Sequence, residues 1–538
     1  MPQLEKAEET LKRNNLIYEI LLKTVFQNFR KQNYEETLKW ASAAAQSASY
    51  HHIGRFSDAR LETVVLEVGE KLDLLSLNQN ATDPVIKFTK VNSSRKQVLH
   101  IVTTVYEVGG HTRLIKNWVN AYPEYTHSLL ITNPLPTGIP NFLAETILRN
   151  GGKLITFAPE IDLLIKARQL REIAGNNFDY VILHHHPNDV IPIAALAKEG
   201  LPAVALVNHA DHVFWLGSSI ADLVVDFCPH GEQLSRERRF ARHTTVVPYL
   251  NDINVPKVTR AEARRKLGIS DDSVVLISIG SAYKYKPIST HNFFKTASKI
   301  IEKETKAHLY LIGLTDDQGT GISANKRIHF CGIVNDPSLY QIAADIYLDG
   351  FPLGGGLASI ECVLAGACPV FAYSPLSLFT ASRLLEFDGA VEILKTESEY
   401  IDKVSELIND SQLRKDIAEK LKQRIIYFNS KNKYREYANA TFQYLDTIKH
   451  QPFEIPQSNF KLDSEDNSLS ILSDIHKRNI PFLLQRTWDA GSGISILQII
   501  NMMISSIQVK DTKLSYQHLR GWLGTIKEAV RGKKKTSL

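Results

Sequence analysis

Ile346-Tyr-Leu-Asp-Gly-Phe-Pro-Leu-Gly-Gly-Gly-Leu-Ala-Ser-Ile-Glu-Cys-Val-Leu-Ala-Gly-Ala-Cys-Pro-Val370 is the stretch on which the reading of this chain turns. A short apolar run, Ile346 to Leu348, reads as a strand that runs into a triple glycine. Leu357, Ile360, Val363 and Leu364 then recur at helical spacing. Gly366 closes that helix and Pro369-Val370 begins another strand, which makes a βαβ unit of a parallel sheet. Gly354, Gly355, Gly356 and Leu357 would bare backbone amides at the positive end of the helix, a cradle for a diphosphate that needs no side chain. Glu361, one turn further along, can accept hydrogen bonds from ribose hydroxyls.

Working outward, the same alternation fills most of the chain. Strands are expected at Val98–Thr103, Ser128–Ile131, Lys153–Phe157, Tyr180–Leu183, Ala203–Val207, Leu223–Phe227 and Thr244–Pro248, with helical segments between several of them. Tyr249 to Lys257 reads as an interdomain hinge. A second block follows, with strands at Val274–Ile279, His308–Gly313, Arg327–Cys331, Ala344–Leu348 and Pro369–Ala372. Two doubly wound α/β sheets are the expected fold class. The domains are accordingly a helical amino-terminal extension (1–90), a Rossmann-like domain (97–250), a second one (257–445), and a linker with a helical basic tail (451–538). Asn78 to Lys96 connects the extension to the first sheet. Gln451 to Ser468, polar and carrying two prolines, reads as linker.

Composition narrows the class. The chain has 538 residues, too many for one compact core, and its 43% apolar and 22% charged residues are those of a globular protein. A net charge of +5 is small for this length, and no nucleic-acid partner is expected. Cys228, Cys331, Cys362 and Cys368 lack paired spacing and read as reduced thiols, with no metal site. Met1 to Arg13 is charged and has no signal-peptide core, which implies a cytoplasmic protein. Ile494 to Val509 is apolar but too short and too interrupted to span a bilayer. Leu519 to Lys535 is a basic amphipathic segment suited to peripheral contact with an anionic membrane surface.

The residues fit for chemistry sit just after strands, where open α/β sheets bind ligands. Ser281, Lys284 and Lys286 follow Val274–Ile279, and a desolvated lysine there can neutralise a leaving phosphate. Gly110 and His111 follow the first strand, His186 and Asp189 the fourth, and His209, Asp211 and Trp215 the fifth. Their imidazoles and carboxylates can orient or deprotonate a hydroxyl, and an indole can stack on an apolar ring face. Neighbouring residues of the triple histidine 184–186 alternate in direction and cannot all chelate one ion.

These motifs resemble the GT-B glycosyltransferases, over roughly residues 97–445. Asp349-Gly-Phe-Pro352, the glycines, and an acid before Leu364-Ala-Gly366 are most similar to O-GlcNAc-transferase-like and HMW1C-like enzymes, and more loosely to GT4 enzymes. GT4 members carry a pair of glutamates here; Leu353 occupies the first position, so their retaining mechanism is not carried over. The resemblance implies two Rossmann-like domains facing across a cleft and a nucleotide-sugar donor, with Lys284 as phosphate lysine and Lys286 as the GT4-style alternative. Arg327 to Val334 resembles the stretch whose backbone reads the nucleobase, which implies a base near Ile333 and uridine as its identity. The expected activity is metal-independent, cofactor-free transfer of a sugar to a glycan, a lipid-linked sugar or a protein. His111, or His209 with Asp211, would serve the acceptor side. A nucleotide-sugar epimerase and a catalytically silent partner subunit are the competing readings.

Overall fold

A computed structural model describes residues 2–76, 94–107, 110–248, 258–288, 291–318, 325–373 and 381–457, with positions 466, 469 and 470 beyond them. The hinge at 249–257, most of the connection at 78–96, Gly109, and the segments 494–509 and 519–535 lie outside the described residues. The chain divides into two compact units. The amino-terminal unit takes Met1–Asp226 and Gly231–Thr245, and the described chain from Ala438 onward returns to it; the carboxyl-terminal unit takes Phe227–His230 and Val246–Tyr437.

All twelve expected strands are present, in two parallel sheets. The amino-terminal sheet consists of β1 (Gln97–Val102), β2 (Thr126–Ile131), β3 (Leu154–Thr156), β4 (Tyr180–His184), β5 (Ala203–Val207), β6 (Leu223–Asp226) and β7 (Thr244–Val246), in the order β3-β2-β1-β4-β5-β6-β7. The carboxyl-terminal sheet consists of β8 (Val274–Ile279), β9 (Ala307–Ile312), β10 (Ile328–Gly332), β11 (Ile346–Leu348) and β12 (Cys368–Val370), in the order β10-β9-β8-β11-β12. Every residue of β4 and β5 is buried, as expected of strands covered by helices on both faces. In each sheet the winding reverses beside its first strand, between β1 and β4 and between β8 and β11, and ligands of such folds bind at the carboxyl ends there.

Local chemistry sets where the second sheet begins. Thr259 and Glu262 form a reciprocal capping box on the helix Arg260–Leu267, and Gly268 ends it in the left-handed region at φ 68°. Arg264 Nη2 then donates to Asp345 Oδ2 at 2.6 Å, and the same oxygen accepts the Val275 amide at 2.8 Å. This joins the opening helix to the starts of β8 and β11.

The helical extension is part of the amino-terminal unit. Its helices Pro2–Arg30, Tyr34–Tyr50 and Ala59–Lys71 share one apolar core with the sheet, with Trp40, Leu61 and Val65 all fully buried. Polar contacts from it reach loops at the carboxyl ends of the strands. Glu62, fully buried, accepts the Gly217 amide at 2.7 Å and the Ser218 amide at 3.2 Å, and also takes the Ser219 hydroxyl. Ser42 donates to the Asn188 carbonyl at 2.7 Å, and Glu35 caps the amides of Leu163 and Leu164 at 3.0 Å each. Residues 451–457, read above as linker, also pack here: the Phe453 amide bonds the Ser219 carbonyl at 2.9 Å and Ile455 is buried. Asp466 is buried between His52 at 2.6 Å and Arg238 at 3.1 Å. Polarity alone marked this segment as linker, but its apolar side chains and one carboxylate have partners on the body.

Candidate functional site

In the carboxyl-terminal unit the ends of β8, β9 and β10 are knitted by backbone bonds, Gly280 N to Ile312 O at 3.0 Å and Gly313 N to Gly332 O at 2.7 Å. A short 3-10 turn, Ala282–Tyr285, follows β8. Tyr285 points inward, its hydroxyl 3.0 Å from Ser278 Oγ. That anchoring carries Lys284 across to the glycine loop after β11, where Nζ donates to the Gly354 carbonyl at 3.2 Å and its own carbonyl accepts the Leu353 amide at 3.3 Å. Burial lowers the Lys284 pKa, and the nearby Asp349 carboxylate opposes that shift. Ser281 and Lys286 are exposed.

The three glycines do different things. Gly355 is needed for packing, since a Cβ there would lie 2.5 Å from the Tyr347 hydroxyl oxygen. Its amide is not bare: it donates to Asp349 Oδ1 at 2.7 Å, and the Tyr347 hydroxyl donates to the same oxygen at 3.3 Å. Burial raises the Asp349 pKa to about 6. A Cβ on Gly356 would meet only Leu384, at 3.5 Å. The helix Gly356–Leu364 forms its first internal bond from Ser359 N to Gly355 O, at 2.8 Å. The amides of Gly356, Leu357 and Ala358 therefore have no acceptor within the helix, and they carry its positive end. Lys284 and these amides flank the β8/β11 reversal. Glu361 is exposed on the same helix, with Oε2 accepting Gln341 Nε2 at 2.9 Å. Ile333, just after β10, leaves 91% of its surface open.

The amino-terminal unit brings together imidazoles from three adjacent strand ends. His111 opens the helix Gly110–Ala121, and its Nε2–H donates to the His184 carbonyl at 2.9 Å. That bond leaves Nδ1 as the lone-pair nitrogen, and Nδ1 is buried without a partner. The His111 ring lies 4.3 Å from that of His209 and 5.9 Å from that of His186, centroid to centroid. Burial lowers all three, His186 to about 3, so all are neutral bases near neutral pH.

Other expected residues take different places. Asp189 is buried and turned inward: Oδ2 accepts the hydroxyls of Thr103 at 2.7 Å and Thr132 at 2.5 Å, and Oδ1 accepts the Ile191 amide at 3.1 Å. It ties strand ends together and offers no free oxygen toward an acceptor. Trp215 is 3% exposed in the core, with the Arg239 guanidinium 4.9 Å over its ring, so neither face is open to a sugar. Apolar burial outweighs sugar stacking there. Asp211 is partly exposed and accepts from His212 Nδ1 at 3.1 Å.

Beneath the imidazole cluster runs a row of fully buried histidines, of which only His184, in the triple histidine, stood out in the sequence. His127 Nε2 donates to the Tyr122 carbonyl at 2.9 Å, His100 Nε2 to His127 Nδ1 at 2.9 Å, and His184 Nε2 to His100 Nδ1 at 3.1 Å. The terminal carbonyl can only accept, which sets every tautomer in the row, and burial keeps each ring neutral. His184, whose carbonyl holds His111, is thus itself held from below. The available signal was a histidine at an inward position of each of three apolar strands.

No protein-family model and no functionally curated protein matches the sequence. Among solved structures the chain is similar to a glycosyltransferase from Rickettsia africae, at 13% identity and a TM-score of 0.50, over 66% of this chain and 100% of that one. It is also similar to a mutant O-GlcNAc transferase from Thermobaculum terrenum, at 15% identity and 0.49, over 83% and 84%. A third likeness is to Anabaena HepE in complex with UDP and glucose, at 13% identity and 0.47, over 65% and 100%. At such identities the likeness is one of fold. The fold is that of the GT-B glycosyltransferases, with the helical extension built into the amino-terminal unit.

Proposed function

We propose that the protein is a glycosyltransferase whose carboxyl-terminal unit binds a nucleotide sugar, with uridine as the nucleoside, and whose amino-terminal unit receives the acceptor. The observation that carries this reading is that Lys284 Nζ is held on the Gly354 carbonyl, in the loop that leads into the amides of Gly356, Leu357 and Ala358 left without an acceptor in the helix. An ammonium and a helix amino terminus there can absorb the charge that grows on a departing diphosphate. The fold shared with the Rickettsia africae glycosyltransferase supports the same reading.

In the proposed reaction an acceptor oxygen forms a bond to the anomeric carbon while the bond from that carbon to the β-phosphate oxygen breaks. The nucleoside diphosphate leaves, and the acceptor proton passes to His111 Nδ1. Ile333 would lie against the base and Glu361 would hold the ribose. Ser281 and Lys286 would line the donor entrance. His186, His209 and Asp211 would line the acceptor side, with Gly110 letting the chain approach it closely. Lysine and helix charges would take the part that a metal plays elsewhere. Among the described residues no helix is long and apolar enough to cross a membrane; membrane contact would rest on 519–535.

The test incubates UDP-sugars with the protein, alone and with acceptor extracts, and repeats the assay with Lys284→Ala. Transfer by the wild type and a loss of about 10² to 10³ in kcat for the variant are expected, with Tm unchanged. Equal turnover in the variant would remove the leaving-group role, and conversion of the donor alone to an epimer would replace the reading with epimerisation.

A further inference from the structure

Glu361 is the ribose candidate, yet it is an exposed side chain with three rotatable bonds, and such a group loses entropy whenever a ligand orders it. One neighbour reduces that loss in advance. Gln341, on the helix Ser338–Ala343, is 7% exposed and places Nε2 2.9 Å from Glu361 Oε2. Because a carboxylate only accepts, the amide must present its NH2 to Glu361, which settles its orientation. One lone pair of Oε2 is thereby occupied, while Oε1 and the second lone pair of Oε2 remain open.

The position on the helix agrees. Glu361 is five residues past Gly356, about 7.5 Å along the axis at 1.5 Å per residue, and helical side chains lean toward the amino terminus. A diphosphate on the free amides of Gly356 to Ala358 would leave its sugar directed along the helix toward that carboxylate. Two vicinal hydroxyls can both donate to it, one to Oε1 and one to the open side of Oε2.

We propose that Gln341 is a positioning residue that orients the Glu361 carboxylate toward a ribose diol, and that the pair makes the site selective for ribonucleotides over 2′-deoxyribonucleotides. This inference rests on the nucleotide-sugar reading above. A bond that served only to pin two helices together would give no preference for the 2′-hydroxyl.

Calorimetric titration of the full chain with UDP and 2′-deoxy-UDP, in wild type, Gln341→Leu and Glu361→Gln, separates the possibilities. Wild type is expected to prefer UDP about tenfold, the scale of one hydrogen bond to a charged group. Gln341→Leu is expected to bind UDP several-fold more weakly and 2′-deoxy-UDP almost unchanged, so that the preference collapses as it does in Glu361→Gln. An unchanged preference in Gln341→Leu, a parallel loss for both nucleotides, or no preference in wild type would overturn the inference and leave the nucleotide reading standing. Failure of wild type to bind UDP, GDP or ADP at all would overturn both.

Discussion

His111 shows how a residue's surroundings set its chemistry. The His184 carbonyl holds Nε2–H, so the free lone pair is on Nδ1, and burial keeps the ring from protonating. The folded pKa lies below the ordinary value of about 6.5, so a base at this position works at neutral pH and fails only as pH falls below that value. A pH profile of kcat/KM is expected to be flat from about pH 6.5 upward, with its acid limb below that point. His111→Gln is expected to lose about 10² to 10⁴ in rate. An acid limb centred above 6.5, or full activity in the variant, would contradict the assignment. Lys284 and His111 were legible in the sequence because each follows an apolar strand that predicts a sheet edge. Asp349 and Gln341 were not, because their roles depend on partners that only the folded chain supplies: the Gly355 amide for one, Glu361 for the other.

The glycine loop is the element that most refines the sequence reading. Strand positions were recoverable because strands buried on both faces are continuous apolar runs, and the triple glycine marked the turn correctly. The sequence could not separate the glycine required by packing from the one that leaves amides free. Gly355→Ala drives a methyl to 2.5 Å from the Tyr347 hydroxyl and is expected to destabilise the protein by about 1 to 3 kcal/mol. Gly356→Ala meets only Leu384 at 3.5 Å and is expected to fold at least as stably as wild type. Urea midpoints for the two variants check this, and equal midpoints would mean that the loop yields where the contacts say it cannot. His127 and His100, which complete the buried row with His184, were overlooked at this scale because a histidine inside an apolar strand carries no periodic signal of its own.

For the whole molecule, the sequence announced two α/β sheets and a helical extension but not how the extension is used. Helical periodicity identifies an apolar face without naming what covers it, so only the structure reveals that side chains between Ile17 and Leu75 share a core with the first sheet. Glu62 is the polar weld between them. Glu62→Ala would strand the Gly217 and Ser218 amides and the Ser219 hydroxyl without their acceptor, and is expected to lower unfolding stability by about 2 to 4 kcal/mol. Glu62→Gln, which keeps one acceptor oxygen, should lose less, as denaturant titration can measure; a neutral Glu62→Ala would mean that the extension is only loosely joined. The proposed function requires the carboxyl edge of the second sheet to hold a nucleoside diphosphate. The most direct measurement is an experimental structure of the protein with UDP. A diphosphate is expected on the amides of Gly356 to Ala358, within reach of Lys284 Nζ, with the ribose on Glu361. UDP bound elsewhere, or an edge left empty at saturating UDP, would contradict it.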